Sequence, residues 1–169
     1  NIFNNRFKKP LNFFLEDEKI LNDTRNTRWL KRTVGTKVFD KIKNNLISCS
    51  GTTYGNFEKI LNYSLLMKKN LYLFPYKRPL RHKIIFKNVA PYDQGIHNYL
   101  IYNKFFKDFE CHNNNLSKIC TTAYMKEFRF NKKGQLINQA REIYSVIHQY
   151  DRSFKKNGSP IFNFIKKYE

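Results

Sequence analysis

The stretch from Leu46 to Leu65 constrains this chain most. A short apolar run, Leu46 to Cys49, passes directly into Ser50-Gly51-Thr52-Thr53-Tyr54-Gly55, after which Phe57, Ile60, Leu61, Ser64 and Leu65 recur at helical spacing. A strand, a glycine-bearing turn and a helix form the outline of an α/β unit. The spacing predicts that those five side chains form the buried face of a helix ending near Asn70.

Similar punctuation recurs along the chain. Leu11 to Leu15 reads as a strand followed by an acidic, solvated turn at Glu16-Asp17-Glu18, and Asn26 as the N-cap of a helix carrying Trp29, Leu30 and Val34 and closed by Gly35. Leu71 to Pro91 is rich in proline and basic residues and reads as a connection with one strand at Ile84 to Phe86. Asp93 opens a further helix with Ile96, Tyr99, Leu100 and Asn103 on its buried side. Beyond it, Phe109 to Cys111, Ile119 to Tyr124 and Ile143 to Ile147 read as short strands, Asn131 to Gly134 as a loop, and Ile161 to Ile165 as a final helical segment.

With 169 residues, of which 41% are apolar and 16 are Phe and 11 Tyr, the chain suits a single domain, 1–169, with its own core. The net charge of +19 makes a polyanionic partner, nucleic acid included, a class to be considered. The basic residues are scattered in twos and threes, as at Lys68-Lys69 and Lys132-Lys133, so no charged tail is marked. Three cysteines, Cys49, Cys111 and Cys120, without a CxxC spacing, argue against a zinc ribbon or disulfide framework and favour a reducing compartment such as the cytoplasm. The longest apolar stretches are too short to span a bilayer.

Three segments could carry chemistry. In Cys49-Ser50-Gly51-Thr52-Thr53 an apolar strand ends in hydroxyls and a glycine, as ligand-binding strand ends do, although a helix-capping turn has the same composition. In Pro91-Tyr92-Asp93-Gln94-Gly95-Ile96-His97-Asn98 a carboxylate and an amide open a helix. There Asp93 can be a hydroxyl-orienting group or a plain N-cap, and His97 and Asn98 can face either way. In Val146-Ile147-His148-Gln149-Tyr150-Asp151-Arg152 a β-branched strand releases a run of polar groups, including a common metal ligand and a preferred phosphate partner.

Taken in order, these three segments resemble a family of small A-type glycosyltransferase-like proteins, and Asp93-Gln94-Gly95 is similar to the aspartate-glutamine stretch of glycogenin-like glycosyltransferases. The resemblance runs from Leu11 to Arg152. It implies a Rossmann-like nucleotide-diphospho-sugar transferase fold of A type, α/β with a mixed sheet and flanking helices, of which this chain is the C-terminal, acceptor-side part. The implied activity is transfer of a sugar from a nucleotide diphosphate donor to a hydroxyl of a glycan or protein acceptor, with Mn²⁺ or Mg²⁺ neutralising the diphosphate. Asp93 would contact the transferred sugar or acceptor, helped by Gln94 and Asn98. Ser50, Gly51 and Thr52 would line the sugar pocket, His148 would ligate the metal, Gln149 and Arg152 would bind the diphosphate as hydrogen-bond donors, and Asp151 would be a further substrate-binding residue.

The family also places an Asp-x-Asp on an earlier strand, and this chain has none. Either the donor-binding half lies upstream of Asn1, or the chain is a degenerate relative without activity. The competing expectation is a non-catalytic basic binding module, RNA-associated or structural, built on such a fold.

Overall fold

The computed structural model describes residues 7–74 and 92–149. The expected pieces at Ile84 to Phe86 and Ile161 to Ile165, and the candidate residues Asp151 and Arg152, lie outside them. The chain is α/β, with a small mixed sheet flanked by helices. Strand β1 (Leu11–Lys19) is central, pairing antiparallel with β2 (Leu46–Gly55) on one side and parallel with β3 (Phe109–His112) on the other.

Helices α1 (Thr24–Val34) and α2 (Thr36–Ile42) join β1 to β2, α3 (Phe57–Leu73) follows β2, and α4 (Asp93–Tyr102) precedes β3. The C-terminal third adds a parallel pair, β4 (Ile119–Thr121) with β7 (Val146–His148), and a hairpin of β5 (Arg129–Phe130) and β6 (Leu136–Ile137). The loop at Asn131 to Gly134 closes that hairpin, as its composition predicts.

Three expectations are corrected. First, Glu16-Asp17-Glu18 is no solvated turn. Those residues belong to β1, which stays paired as far as Lys19 opposite Leu46, and Glu16 is only 3% exposed. Cross-strand pairing with β2 outweighs the weak strand preference of three acidic residues.

Second, Ser50 to Gly55 is no turn between strand and helix: β2 continues through it to Gly55, and α3 follows at Phe57. Its pairing register moves from Phe13↔Thr53 to Leu15↔Ser48, so two steps on β1 face five on β2. Residues 49–52 therefore bulge out of the ladder, a device that re-aims side chains. Third, the N-cap of α1 is Asp23, whose carboxylate accepts from the Asn26 N–H at 2.6 Å, and α2 was not foreseen.

The core lies on both sides of β1. Phe13 is fully buried against Tyr63, His97, Phe106 and Phe109, with ring centroids 5.4 to 5.8 Å away. On the far side Ile20, Leu30, Phe39, Ile42 and Ile47 pack together. Ile96 and Leu100 of α4 are buried as their spacing predicts, with Tyr99 packed beside them, whereas Asn103 caps the helix.

Helix α3 departs from prediction. Ile60, Tyr63 and Met67 face the core, while Phe57, Leu61 and Leu65 point away from it and are exposed. Both of its faces are apolar, so periodicity alone could not choose between them.

Candidate functional site

The β2 bulge and the start of α4 are bolted together by amides. The Ser50 N–H donates to Gln94 Oε1 at 2.9 Å, and Gln94 Nε2 donates to the Ser48 carbonyl at 2.6 Å. Asn98, one turn on, accepts from the Ser48 N–H at 2.9 Å and donates to the Ser48 carbonyl at 3.0 Å. These contacts satisfy strand groups that would otherwise be buried without partners. Gln94 is thus a positioning residue, and Asn98, 2% exposed, is placed in the wall behind the site rather than at its surface. Thr52 is likewise buried, with its hydroxyl donating to the Cys49 carbonyl at 3.4 Å.

Asp93 behaves differently. It is the first residue of α4, the cap position belongs to Tyr92, and its exposed carboxylate makes no capping bond. Its oxygen accepts instead from the Ser50 hydroxyl at 3.3 Å. The plain N-cap reading of Asp93 is therefore excluded. Gly95 serves packing: a Cβ there would stand 3.1 Å from Thr33 Oγ1 and 3.2 Å from the Trp29 carbonyl, so its absence lets α4 lie directly on α1.

That contact brings in residues the sequence did not mark. Ser50, Asp93, Gln94 and Gln149 line one cavity of about 180 Å³ together with Glu16 of β1, Arg25, Asn26 and Trp29 of α1, and Tyr124 after β4. Trp29 stacks on Tyr92 with ring centroids 5.3 Å apart and supplies an aromatic wall. Arg25 is held by the Tyr124 hydroxyl, which accepts from it at 3.2 Å, and by Asp23, 3.8 Å away. Tyr124 in turn donates to Asp23, whose carboxyl pKa is lowered: burial opposes the charge but is outweighed by the bonds from Tyr124 and Asn26.

Glu16, which by composition reads as part of a turn, belongs to β1. The alternation of β1 sends it into this cavity and sends Asp17 into a second one of about 470 Å³, lined also by Asn113, Met125, Arg129 and Tyr144. The signal for Glu16 was present in the sequence as an acidic residue directly continuing an apolar strand.

The third motif meets the first. The His148 imidazole lies against the bulge, where a Cβ on Gly51 would be 2.6 Å from its Nε2, so a side chain at position 51 would push the ring aside. Gln149 follows in the left-handed region, at φ 57°, with Nε2 3.7 Å from Cys49 Sγ. Its Oε1 is buried and has no hydrogen-bond partner among the described residues. Strain and an unpaired acceptor on a cavity-lining side chain are features of binding positions.

His97 faces inward and is fully buried. Its Nε2 is 2.9 Å from Ser48 Oγ and its Nδ1 is 2.8 Å from the Tyr63 hydroxyl. Burial lowers its pKa to about 3. The Ser48–His97 pair has the spacing of a nucleophile and its base, but both side chains are sealed from solvent, so the pair is structural.

Among the described residues, no three His, Cys, Asp or Glu side chains are grouped to hold a metal ion. The donors in the cavity, Glu16 and Asp93, are carboxylates. Oxygen donors of that kind are the ligands that Mg²⁺ and Mn²⁺ take, together with substrate phosphates. No family model matches the chain, and no curated protein or solved structure matches it either.

Proposed function

We propose that the chain carries the sugar-transfer site of an A-type glycosyltransferase, acting on a nucleotide diphosphate donor and an acceptor hydroxyl. One observation carries the reading: Ser50, Asp93 and Gln149, from three separate motifs, line a single cavity that also holds the carboxylate of Glu16 and an aromatic wall. At about 180 Å³ it is smaller than the roughly 300–1,000 Å³ of a whole-ligand pocket, and suits one sugar ring.

In this reading the acceptor oxygen forms a bond to the anomeric carbon as the bond to the diphosphate breaks, the diphosphate leaves with that bonding pair, and the acceptor proton passes to the Asp93 carboxylate. The Asp93 carboxylate accepts a hydroxyl hydrogen bond from the sugar or acceptor and is itself oriented by Ser50. Gln94 and Asn98 keep the bulge rigid beneath it. Trp29 offers an apolar face to the ring, and Gln149 Oε1 an acceptor for one hydroxyl. Arg25 stands on the same wall, where it can offset the charge of the departing diphosphate. A bound divalent ion would be held by Glu16 together with oxygens of the diphosphate, whose charge it would neutralise.

The test is calorimetric binding and turnover over a panel of nucleotide sugars with Mn²⁺, for the full-length gene product and its Asp93→Ala and Glu16→Gln variants. Asp93→Ala is expected to bind donor and lose about 10²-fold or more in turnover. Glu16→Gln is expected to weaken metal-dependent donor binding. No binding of any donor, with both variants indistinguishable from the parent, would sink the proposal. Steeply salt-dependent RNA binding in place of donor binding would favour the basic-module alternative.

A further inference from the structure

Among the described residues, helix α3 leaves a second apolar face without cover. Phe57 is 83% exposed, Leu61 44%, Leu65 56%, Tyr72 77% and Leu73 61%, so half of the exposed large hydrophobic side chains among the described residues sit on this one helix. The spacing of Phe57, Leu61, Leu65 and Tyr72 gathers them into an arc of about 80° along a helix about 26 Å long. Lys68 falls within that arc, and Glu58 and Lys69 lie just beyond it, all three exposed. The opposite face, through Ile60, Tyr63 and Met67, is the one used by the core.

We propose that this face of α3 docks the protein on an anionic lipid surface. The side chains are exposed in one row along the helix, which suits insertion into a soft interface. Aromatic residues sit near both ends of the row and lysines lie within and beside it, the composition of a helix lying in the headgroup plane.

A second copy of this chain is a poorer occupant. Two molecules of charge +19 repel one another. That same charge attracts a negatively charged membrane. Among the described residues no helix is long and apolar enough to cross a membrane, so the contact is peripheral. The inference does not depend on the transferase reading.

The experiment is co-sedimentation of the full chain with vesicles of phosphatidylcholine alone or mixed with phosphatidylserine, at about 0.15 M salt. The parent is expected to partition onto the mixed vesicles and not onto the neutral ones. The triple variant Phe57→Ser, Leu61→Ser, Leu65→Ser, at unchanged charge, should lose at least about tenfold in partitioning with its melting temperature retained. Lys68→Gln with Lys69→Gln should lose about tenfold and show a shallower salt dependence. Undiminished partitioning of the triple variant would overturn the proposal, as would failure of the parent to bind. A parent dimer in light scattering that the triple variant dissolves would reassign the face to a second copy and overturn it as well.

Discussion

At the scale of single residues, His97 shows how the site is supported from behind. Its ring bridges Ser48 on β2 and Tyr63 on α3, so one neutral imidazole ties the strand under the cavity to the helix behind it. Burial alone depresses its pKa from 6.5 to about 3. Because the folded pKa lies below the unfolded one, the neutral ring contributes its full stability above pH 6.5, and that contribution is lost as the pH falls toward 3. Chemical denaturation at pH 7 and pH 5 should reveal a loss of about 2 kcal/mol, and His97→Gln should flatten that pH dependence. A His97→Gln variant with the parent's pH profile would contradict the assignment. Asp93 and Ser50 were legible in the sequence because polar residues at the edge of apolar segments are cheap to notice. Arg25 and Trp29 were not, because only the packing of α1 on α4 turns them toward Asp93, while Glu16 is brought in by β1.

At the scale of elements, the helices were easier to read than the strands. The start of α4 at Asp93 and the closure of α1 at Gly35 follow from local chemistry. Gly35 sits at φ 88° and ψ 166°, a conformation essentially reserved for glycine, and it serves at once as the end of α1 and the N-cap of α2. Gly35→Ala is therefore expected to cost about 1–3 kcal/mol in a urea titration, although a Cβ there would meet no atom within 4 Å. A neutral outcome would mean that the α1–α2 corner relaxes without penalty. The strands were misjudged where pairing overrode composition, in the acidic end of β1 and in the bulge of β2. A bulge depends on a partner strand, so a single segment carries no sign of it.

At the scale of the whole molecule, the three cysteines report on integrity. Cys49 and Cys120 are buried, Cys111 is half-buried, and none is bonded to another. Burial raises their thiol pKa values to about 11, 12 and 11 respectively. In the native state they should label with a thiol reagent at pH 8 orders of magnitude more slowly than free cysteine, Cys111 first, and all three rapidly in denaturant. Fast native labelling of Cys49 would mean that the bulge beneath the cavity opens readily. By itself the sequence determined an α/β chain with an apolar core, a helix opening at Asp93 and three polar segments with chemical potential, because these depend on local pattern and composition. Only the tertiary structure decided that those segments share one cavity, that Glu16 joins them, that Asn98 and His97 stand behind the wall and that α3 shows an apolar face to solvent. Each of those depends on which face a neighbouring element covers, and covering is a property of the assembled fold.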